Sequence, residues 1–300
     1  MPFSILCTGS SGLVASDFKK LALSENIPFY GLDLHGEEES VDITNKEPVL
    51  AYINSKLNLI SDKSIPILFH FAAITITGNN LTSDQIDISK KVNIDATRIL
   101  LEACKQLSIP LVYISTDFVF AGGKKETPYL PDDEICPDNT IYSQTKAEAE
   151  KLVKNASKDQ KVVIIRLAFP YGNFSHPKPG LARKMISWMD NNAEVKLYND
   201  QFICPTPISY FSDCCLQIAQ LISEDKLKTG QVLHCVGQTT TPYEFGSLIK
   251  EVFEKKAKLV PTSIGGGVKN LVLNTDKTEK ILNIVKPHHQ NSIQSLIDQC

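Results

Sequence analysis

Short hydrophobic runs alternate with helical patterns through the first half of the chain. The runs lie at 3–7, 28–32, 67–71, 111–115 and 162–167, and their length and β-branched content are typical of strands buried in a sheet. Between them, helical spacing of hydrophobic residues covers 16–24, 46–61, 89–108 and 142–158. This alternation predicts an α/β fold, in which helices cover both faces of a doubly wound parallel sheet.

The pattern is less regular after Tyr171. Residues 173–180 are rich in Pro, Gly and His and are predicted to form a loop. A helix over 181–190, a strand over 194–198 and an amphipathic stretch over 292–297 follow. A chain of this length usually needs more than one core, so we predict a doubly wound domain over 1–170 and a smaller lobe over 171–300. Elements of about 205–240 are candidates to return to the first domain.

A glycine-rich turn follows the first predicted strand and opens the first helix. Residues 8–15 read T-G-S-S-G-L-V-A. Gly9 allows a tight turn, and Gly12 lets a pyrophosphate approach the partial positive charge at the helix N-terminus. The context is that of a Rossmann dinucleotide site, whose predicted contacts in the turn are Gly9, Ser11, Gly12, Leu13 and Val14.

Asp33 closes the second predicted strand about 20 residues after the turn, where a carboxylate binds ribose hydroxyls. Leu34 and His35 follow and are expected to lie beside the adenosine. The acidic residues Glu37, Glu38 and Glu39 would repel a 2′-phosphate, which favours NAD. NADP is the alternative, because a protonated His35 would reduce that repulsion.

Tyr142 and Lys146 lie four residues apart and therefore share one face of a predicted helix. A free phenol titrates at about 10, and an ammonium ~4 Å away would lower its pKa by roughly three units. Tyr142 is therefore the predicted general acid–base group, tuned by Lys146. Thr116, at the end of a strand, is predicted to orient a reacting carbonyl oxygen, with its neighbour Ser115 as the alternative.

With these motifs, the chain resembles the extended short-chain dehydrogenase/reductase family, and within it the dTDP-4-dehydrorhamnose reductases. Residues 115–120 read S-T-D-F-V-F, where those reductases have S-T-D-Y-V-F, and 142–146 match their Y-x-x-[ST]-K. Two further segments of these reductases have counterparts here: one comprises Arg166 with residues 171–172, and the other comprises residues 199–206. The resemblance extends over essentially the whole chain.

The resemblance implies further contacts with the dinucleotide and with a substrate. The implied cofactor contacts are Asp42, Ile43, Ala72, Ala73, Thr75, Asn93 and Phe169, beside Tyr142 and Lys146. The implied substrate contacts are Thr116, Asp117 and Tyr142, and the lobe over 171–300 is expected mainly to bind substrate. Arg183, Lys178 and Lys184 follow the 173–180 loop and are candidates to meet the diphosphate of a sugar nucleotide.

The resemblance leaves three functions open. The first is an NAD(P)-dependent reductase of a 4-keto deoxysugar nucleotide, and the second is a sugar-nucleotide epimerase that retains NAD. The third is a non-catalytic dinucleotide-binding subunit, like the regulatory subunit of methionine adenosyltransferase. Residues 74–80, Phe169 and 203–204 depart from the reductase pattern. A 4,6-dehydratase is disfavoured because Phe118, not a glutamate, follows Asp117.

Composition and charge limit the kinds of binding partner that are expected for this protein. A formal net charge of −3 gives no basic field for nucleic acid, and the sequence contains no apolar run of membrane-spanning length. The eight cysteines form no C-x-x-C pair and are predicted to be mostly reduced core residues. We expect a cytoplasmic protein and a homodimer, the latter because family members are often dimers.

No metal site is expected from the histidines. His70 lies in a hydrophobic run and is predicted to be a hydrogen-bonded core residue. His288 and His289 are expected to be exposed in a loop near the end of the chain, and residues 265–267 are expected to form a flexible loop.

Overall fold

The computed structural model describes residues 2–35, 39–78, 80–266 and 270–299. The strands are β1 (Phe3–Thr8), β2 (Phe29–Asp33), β3 (Glu39–Ser40), β4 (Ile65–His70), β5 (Leu111–Thr116), β6 (Val162–Leu167), β7 (Pro170–Tyr171), β8 (Glu194–Tyr198), β9 (Thr206–Pro207), β10 (Gln231–His234) and β11 (Lys258–Thr262). The helices are α1 (Leu13–Ser24), α2 (Lys46–Leu57), α3 (Ser83–Lys90), α4 (Ala96–Gln106), α5 (Ile141–Ala156), α6 (Leu181–Asn191), α7 (Ile208–Ser223), α8 (Pro242–Val252), α9 (Asp276–Leu282) and α10 (His289–Gln294).

The central sheet is parallel, with the strand order β3-β2-β1-β4-β5-β6-β10. β1 lies between β2 and β4, where Cys7 is paired with Gly31 on one side and Phe69 on the other. The chain therefore leaves β1 in one direction for β2 and returns on the opposite side for β4. Such a reversal opens a crevice at the carboxyl ends of the strands, where doubly wound proteins bind ligands. The predicted doubly wound fold is confirmed.

Alternation along the strands divides the core between the two faces of this sheet. Ile5 and Cys7 belong to the hydrophobic cluster that includes residues of α1 and α7, whereas Leu6 belongs to the cluster with residues of α2, α4 and α5. Phe18 of α1 is fully buried in the first cluster and lies against Phe69, with ring centroids 4.9 Å apart. Both faces are covered, which explains why the strands read as continuous hydrophobic runs.

Elements from the second half of the chain contribute both to the central sheet and to a separate group of helices and strands. β10 pairs with β6 in the central sheet, and α7 packs on α1. By contrast, β8 and β11 form a separate two-stranded sheet, which packs with α6 and α8 around Met185, Leu197 and Phe245. The division at residue 170 into a dinucleotide-binding domain and a substrate-binding lobe stays a prediction.

The predicted helix over 89–108 is two helices joined by a π turn. α3 begins earlier, at Ser83, because the Thr82 side chain and Gln85 form a reciprocal capping box. The π turn at Lys91–Asp95 then separates α3 from α4. It widens the helix by one residue and places the buried side chain of Asn93 towards the candidate site described below.

The predicted environments of several isolated residues can be compared with the structure. Six cysteines are free and buried, as expected, and Cys136 is free and exposed. His289 was expected to be exposed and is buried, because its ring nitrogens bond the Tyr171 hydroxyl (3.1 Å) and the Gln238 carbonyl (2.9 Å). Gly265 and Gly266 have open space around them, and Gly267 lies outside the described residues. Within those residues, every helix is too short or too polar to span a bilayer.

Replacing Phe18 with alanine tests the packing of α1. The substitution removes a fully buried ring and is expected to lower the free energy of unfolding by about 3–5 kcal/mol. Leu23→Ala on the same helix is the control, because Leu23 is 51% exposed, and it should cost less than about 1 kcal/mol. Urea titrations monitored by circular dichroism measure both variants, and equal losses would contradict this placement of Phe18.

Candidate active site

The turn after β1 brings two segments of backbone into contact. Gly9 has φ +68°, and a Cβ atom built on it would lie 2.6 Å from the amide nitrogen of Ala72. A side chain is therefore excluded both by the backbone conformation and by the neighbouring segment. Gly12 caps α1 without a side-chain hydrogen bond to the first turn, so the helix begins with its N–H groups facing the crevice.

Asp33 ties the end of β2 to this turn. Its carboxylate accepts hydrogen bonds from the backbone N–H groups of Ser11 (3.1 Å), Leu34 (2.7 Å) and His35 (3.3 Å). Glu37 and Glu38, on which the preference for NAD rests in part, lie outside the described residues. Glu39 is paired with Lys56 of α2 at 2.6 Å.

These features fit a dinucleotide. A glycine cradle without side chains and an uncapped helix N-terminus accommodate a pyrophosphate, and the adjacent carboxylate can accept hydrogen bonds from ribose hydroxyls. Asp42 has local partners instead: its Oδ1 accepts from the Thr44 hydroxyl at 2.7 Å and its Oδ2 from Asn45 at 2.9 Å. The bond from Thr44 is the main cause that lowers the pKa of Asp42. Ile43 beside it is buried.

The segment after β4 forms the second wall of the crevice. Ala72 donates its N–H to the Thr8 hydroxyl at 3.3 Å, and Ala73 and Thr75 follow it along the wall. Asn93 holds this segment, because its side chain accepts from the N–H of Ile74 (2.8 Å) and donates to the carbonyl of the same residue (3.0 Å).

The same Asn93 amide also donates to the Thr145 hydroxyl of α5 at 2.9 Å. One buried side chain in the π turn thus joins the crevice wall to the helix that carries Tyr142 and Lys146. The three bonds engage the amide of Asn93 with protein groups, which is a positioning arrangement.

His70 is a hydrogen-bonded core residue, as predicted. Its Nδ1 is 2.7 Å from the Thr8 hydroxyl and its Nε2 is 3.1 Å from the Thr97 hydroxyl. Burial lowers the pKa of His70 to about 3, and the nearby Lys146 adds to that effect. The imidazole is therefore neutral and fixes Thr8 behind the glycine turn.

Thr116, Asp117 and Tyr142 converge where β5 ends and α5 begins. The Thr116 hydroxyl donates to Asp117 Oδ1 at 3.0 Å, and it also bonds the phenol of Tyr142. Ser143, next to Tyr142, donates to the carbonyl of Phe118 at 2.6 Å and so fixes α5 against the end of β5. This places a hydroxyl, a phenol and a carboxyl group at the carboxyl edge of the sheet.

Ser115, the sequence-based alternative to Thr116, points into a different environment. Its hydroxyl donates to Glu150 Oε2 at 2.5 Å. Glu150 is also paired with the buried Arg166, whose guanidinium bonds His234 Nε2 at 2.9 Å. The Ser115 hydroxyl is thereby part of a buried polar network behind the site, and Thr116 is the strand-end hydroxyl that meets Tyr142.

Lys146 is almost fully buried, and its ammonium donates to the carbonyl of Ile114 at 2.6 Å. It also lies 4.1 Å from the centroid of the Tyr113 ring, a cation–π contact. Burial lowers the pKa of Lys146 to about 7, an effect that the carboxylate of Glu150 opposes.

The expected lowering of the Tyr142 pKa is wrong for this structure. Burial raises the pKa of Tyr142 to about 12, and the hydrogen bond with Thr116 offsets only part of the rise. The physical reason is that removal from water disfavours the phenolate more than the surrounding dipoles favour it. Tyr142 is therefore a protonated phenol at neutral pH.

Asp117 is the most unusual carboxyl group of the site. It is 1% exposed, and its Oδ2 has no hydrogen-bond partner among the described residues. Burial raises the pKa of Asp117 to about 7, opposed by the bond from Thr116. A carboxyl group that titrates near neutrality beside a Thr–Tyr pair is typical of acid–base sites.

Two aromatic side chains line the site next to Tyr142. The Phe118 ring lies 5.6 Å from the Tyr142 ring in an edge-on arrangement and 6.0 Å from the ring of Phe169. Phe169 has φ +42°, a left-handed conformation that a bulky residue seldom adopts. Such backbone strain is concentrated at functional sites.

Arg183 and the loop before it were predicted to face a substrate diphosphate. The guanidinium of Arg183 instead donates to the carbonyls of Phe174, His176 and Pro177, so it serves to hold the loop. His176 was not identified from the sequence, yet its Nε2 lies 2.9 Å from the carbonyl of Ser11 in the glycine turn. The only sequence signal was its position in a Pro-flanked loop.

Comparison with known proteins is consistent with this geometry. The family model described as RmlD substrate binding domain matches residues 3–300. The dTDP-4-dehydrorhamnose reductase of Escherichia coli K12 is 24% identical over 309 residues, which cover 99% of this chain and 97% of the relative.

Two solved structures extend the likeness to the fold. A dTDP-4-dehydrorhamnose reductase of Clostridium acetobutylicum superposes with a TM-score of 0.82 at 25% identity, over 99% of each chain. The dTDP-4-dehydrorhamnose reductase of Bacillus anthracis, solved in complex with NADP, has a TM-score of 0.80 at 20% identity over 100% of each chain. Together with the family model, the crevice and the Thr–Tyr–Lys arrangement lead to one conclusion: this chain belongs to the RmlD substrate binding domain family.

Proposed function

We propose that this protein is an NAD(P)-dependent reductase of a 4-keto deoxysugar nucleotide, similar in activity to the dTDP-4-dehydrorhamnose reductases. The observation that carries the proposal is the cluster of Thr116, Asp117 and Tyr142 at the edge of the sheet that also bears the glycine turn. A ligand that spans the crevice would extend from that turn to the phenol. The family and the relatives named above support the same chemistry.

Most of the proposed cofactor contacts are those expected from the sequence; Asp42 and Asn93 are left out because their side chains bond protein groups. The pyrophosphate would be held by the turn from Gly9 to Val14, and the adenosine ribose by Asp33, with Leu34, His35 and Ile43 nearby. Ala72, Ala73, Thr75 and Phe169 would line the path to the nicotinamide, with Lys146 at its ribose. When bound in reduced form, the nicotinamide supplies the hydride that the reaction requires.

The protein groups then act on the keto oxygen of the sugar. The Thr116 hydroxyl orients that oxygen, and the phenol of Tyr142 donates the proton as negative charge develops on it. The high pKa of Tyr142 ensures that the phenol carries a proton when substrate arrives. Asp117, bonded to Thr116, is proposed as the nearby acidic group that faces the substrate.

A retained-cofactor epimerase would use the same residues, so the two functions differ only in net redox change. We expect NADH or NADPH to be consumed in proportion to a 4-keto deoxysugar nucleotide, with NADH preferred. Cofactor consumption is measured from the absorbance of the reduced nicotinamide, and product formation is measured in parallel by chromatography. Sugar isomerisation without cofactor consumption would exclude the reductase and support the epimerase.

Replacing Tyr142 with phenylalanine tests the proton donor. The ring and its contact with Phe118 stay, whereas the hydroxyl is lost, so kcat should fall by about 10²–10⁴-fold. Affinity for NADH should change little, which nicotinamide fluorescence titration measures. Tyr198→Phe is the matched control, because Tyr198 is 40% exposed on β8 and should have wild-type activity. Unchanged turnover in the Tyr142 variant would exclude Tyr142 as the proton donor. Wild-type protein that binds the cofactor but turns over no substrate would favour the non-catalytic binding subunit.

Asp117→Asn tests the titration of the buried carboxyl group. Its pKa is raised in the native state from 3.8 to about 7, so the native state holds a proton that the unfolded chain has released between those pH values. Wild-type stability should therefore fall relative to that of the neutral variant as pH rises from about 4 to about 7, by roughly 1.4 kcal/mol per pH unit, and level off above.

Thermal unfolding of both proteins across that pH range measures the difference. Asp62→Asn is the control, since Asp62 is exposed, and its effect on stability should be small. A difference between wild type and Asp117→Asn that is constant from pH 4 to pH 8 would show that Asp117 titrates normally.

Buried, free cysteines such as Cys104 and Cys215 suit a reducing environment, and we propose the cytoplasm. The expected homodimer stays a prediction.

A further inference from the structure

Residues 173–180, termed the strap here, run across the mouth of the crevice. His176 Nε2 lies 2.9 Å from the Ser11 carbonyl in the glycine turn on one side. Lys178 Nζ lies 3.1 Å from the Thr75 hydroxyl in the opposite wall. The strap therefore connects the two segments between which a dinucleotide pyrophosphate would lie.

The strap is held from behind in a defined conformation. Arg183 donates to the carbonyls of Phe174, His176 and Pro177. At its end, Gly180 is packed so closely that a Cβ atom would lie 2.9 Å from the Pro170 carbonyl and 3.3 Å from the side chain of Leu13. Because Leu13 is the first residue of α1, the strap is packed directly against the phosphate-binding end of that helix.

Hydrogen bonds separate the roles of the two strap side chains. The N–H of Lys178 donates to Nδ1 of His176 at 3.0 Å, which leaves Nε2 of that ring to donate to the Ser11 carbonyl. His176 thus holds the turn, and the ammonium charge of the strap belongs to Lys178.

That charge has no acidic partner within the described part of the chain: Lys178 forms no ion pair there, and its ammonium donates to a neutral hydroxyl. Partial burial lowers the pKa of Lys178, and the neighbouring Lys184 lowers it further. An ammonium that has no acidic partner is stabilised by an anion, and charge-assisted contacts to phosphate oxygens are the strong ones.

We propose that the strap forms the outer wall of the dinucleotide pyrophosphate site, with Lys178 as its phosphate-binding cation and His176 as the residue that positions the glycine turn. This inference rests on the proposed dinucleotide function and adds to it a binding group from the second half of the chain. From the sequence, Lys178 was a candidate for the diphosphate of the sugar nucleotide. The geometry favours the dinucleotide, because the strap contacts Ser11 within the glycine turn and Thr75, three residues after the Ala72 that packs against that turn.

Lys178→Met is the variant that tests the proposal, with Lys178→Arg as the conservative replacement. Lys196→Met is the control for net charge, because Lys196 is exposed on β8. The dissociation constants of NADH, ADP-ribose, dTDP and UDP are measured for each protein, by fluorescence for NADH and by calorimetry for the others. Thermal unfolding verifies that each variant is folded.

We expect Lys178→Met to raise the dissociation constants of both NADH and ADP-ribose by about 10-fold or more, since both ligands carry the dinucleotide pyrophosphate. The arginine variant should retain most of the affinity, and Lys196→Met should match wild type. The affinity for whichever of dTDP and UDP binds the wild-type protein should stay unchanged.

Three results would overturn the assignment. If Lys178→Met binds dTDP or UDP more weakly and its affinity for NADH is unchanged, Lys178 contacts the diphosphate of the sugar nucleotide instead. If Lys178→Met binds every ligand with wild-type affinity, the strap is a structural loop without a role in binding. Wild-type protein that binds neither NADH nor NADPH would remove the proposed function itself, a failure distinct from the other two.

Discussion

The close approach of two backbones, at Gly9 and Ala72, sets the width and position of the crevice on which the rest of the site depends. The contact exists because β1 and β4 are adjacent in a parallel sheet, so the turn after one strand meets the segment after the other. Since Gly9 has no room for a side chain at that point, the first turn of α1 stays open. The strand order thus creates a ligand site before any catalytic residue is considered.

Burial, more than proximity of charges, governs the chemistry of the candidate site. Tyr142, Lys146 and Asp117 all have pKa values that burial shifts towards the neutral form of each group. The site consequently holds a protonated phenol, together with a lysine and a carboxyl group whose charges are reduced at neutral pH. Such a site lowers the cost of bringing an uncharged keto group and a nicotinamide ring into contact, and leaves the diphosphates to be bound at its margins.

The sequence predicted the central fold well, because strands buried on both faces are readable as hydrophobic runs and the glycine turn has a defined spacing. It failed at α7, which has buried residues on most of its surface, and at α8, although the capping box of Thr241 and Glu244 marks the start of that helix. The identities of Thr116 and Tyr142 were readable, whereas the environment of Lys146 was not. Its partners Ile114 and Tyr113 come from another element, and so do the contacts of His176 with the glycine turn.

Asn93 has a consequence for how such a site can change. A single amide in the π turn supports the loop beyond Ala72 and, at the same time, the helix that carries Tyr142. Asn93 therefore positions both the loop, where substitutions would alter the substrate side of the crevice, and the phenol of Tyr142. Remodelling the loop for a new sugar is expected to disturb proton delivery unless the amide keeps all three of its partners, which restricts the evolutionary routes to altered specificity.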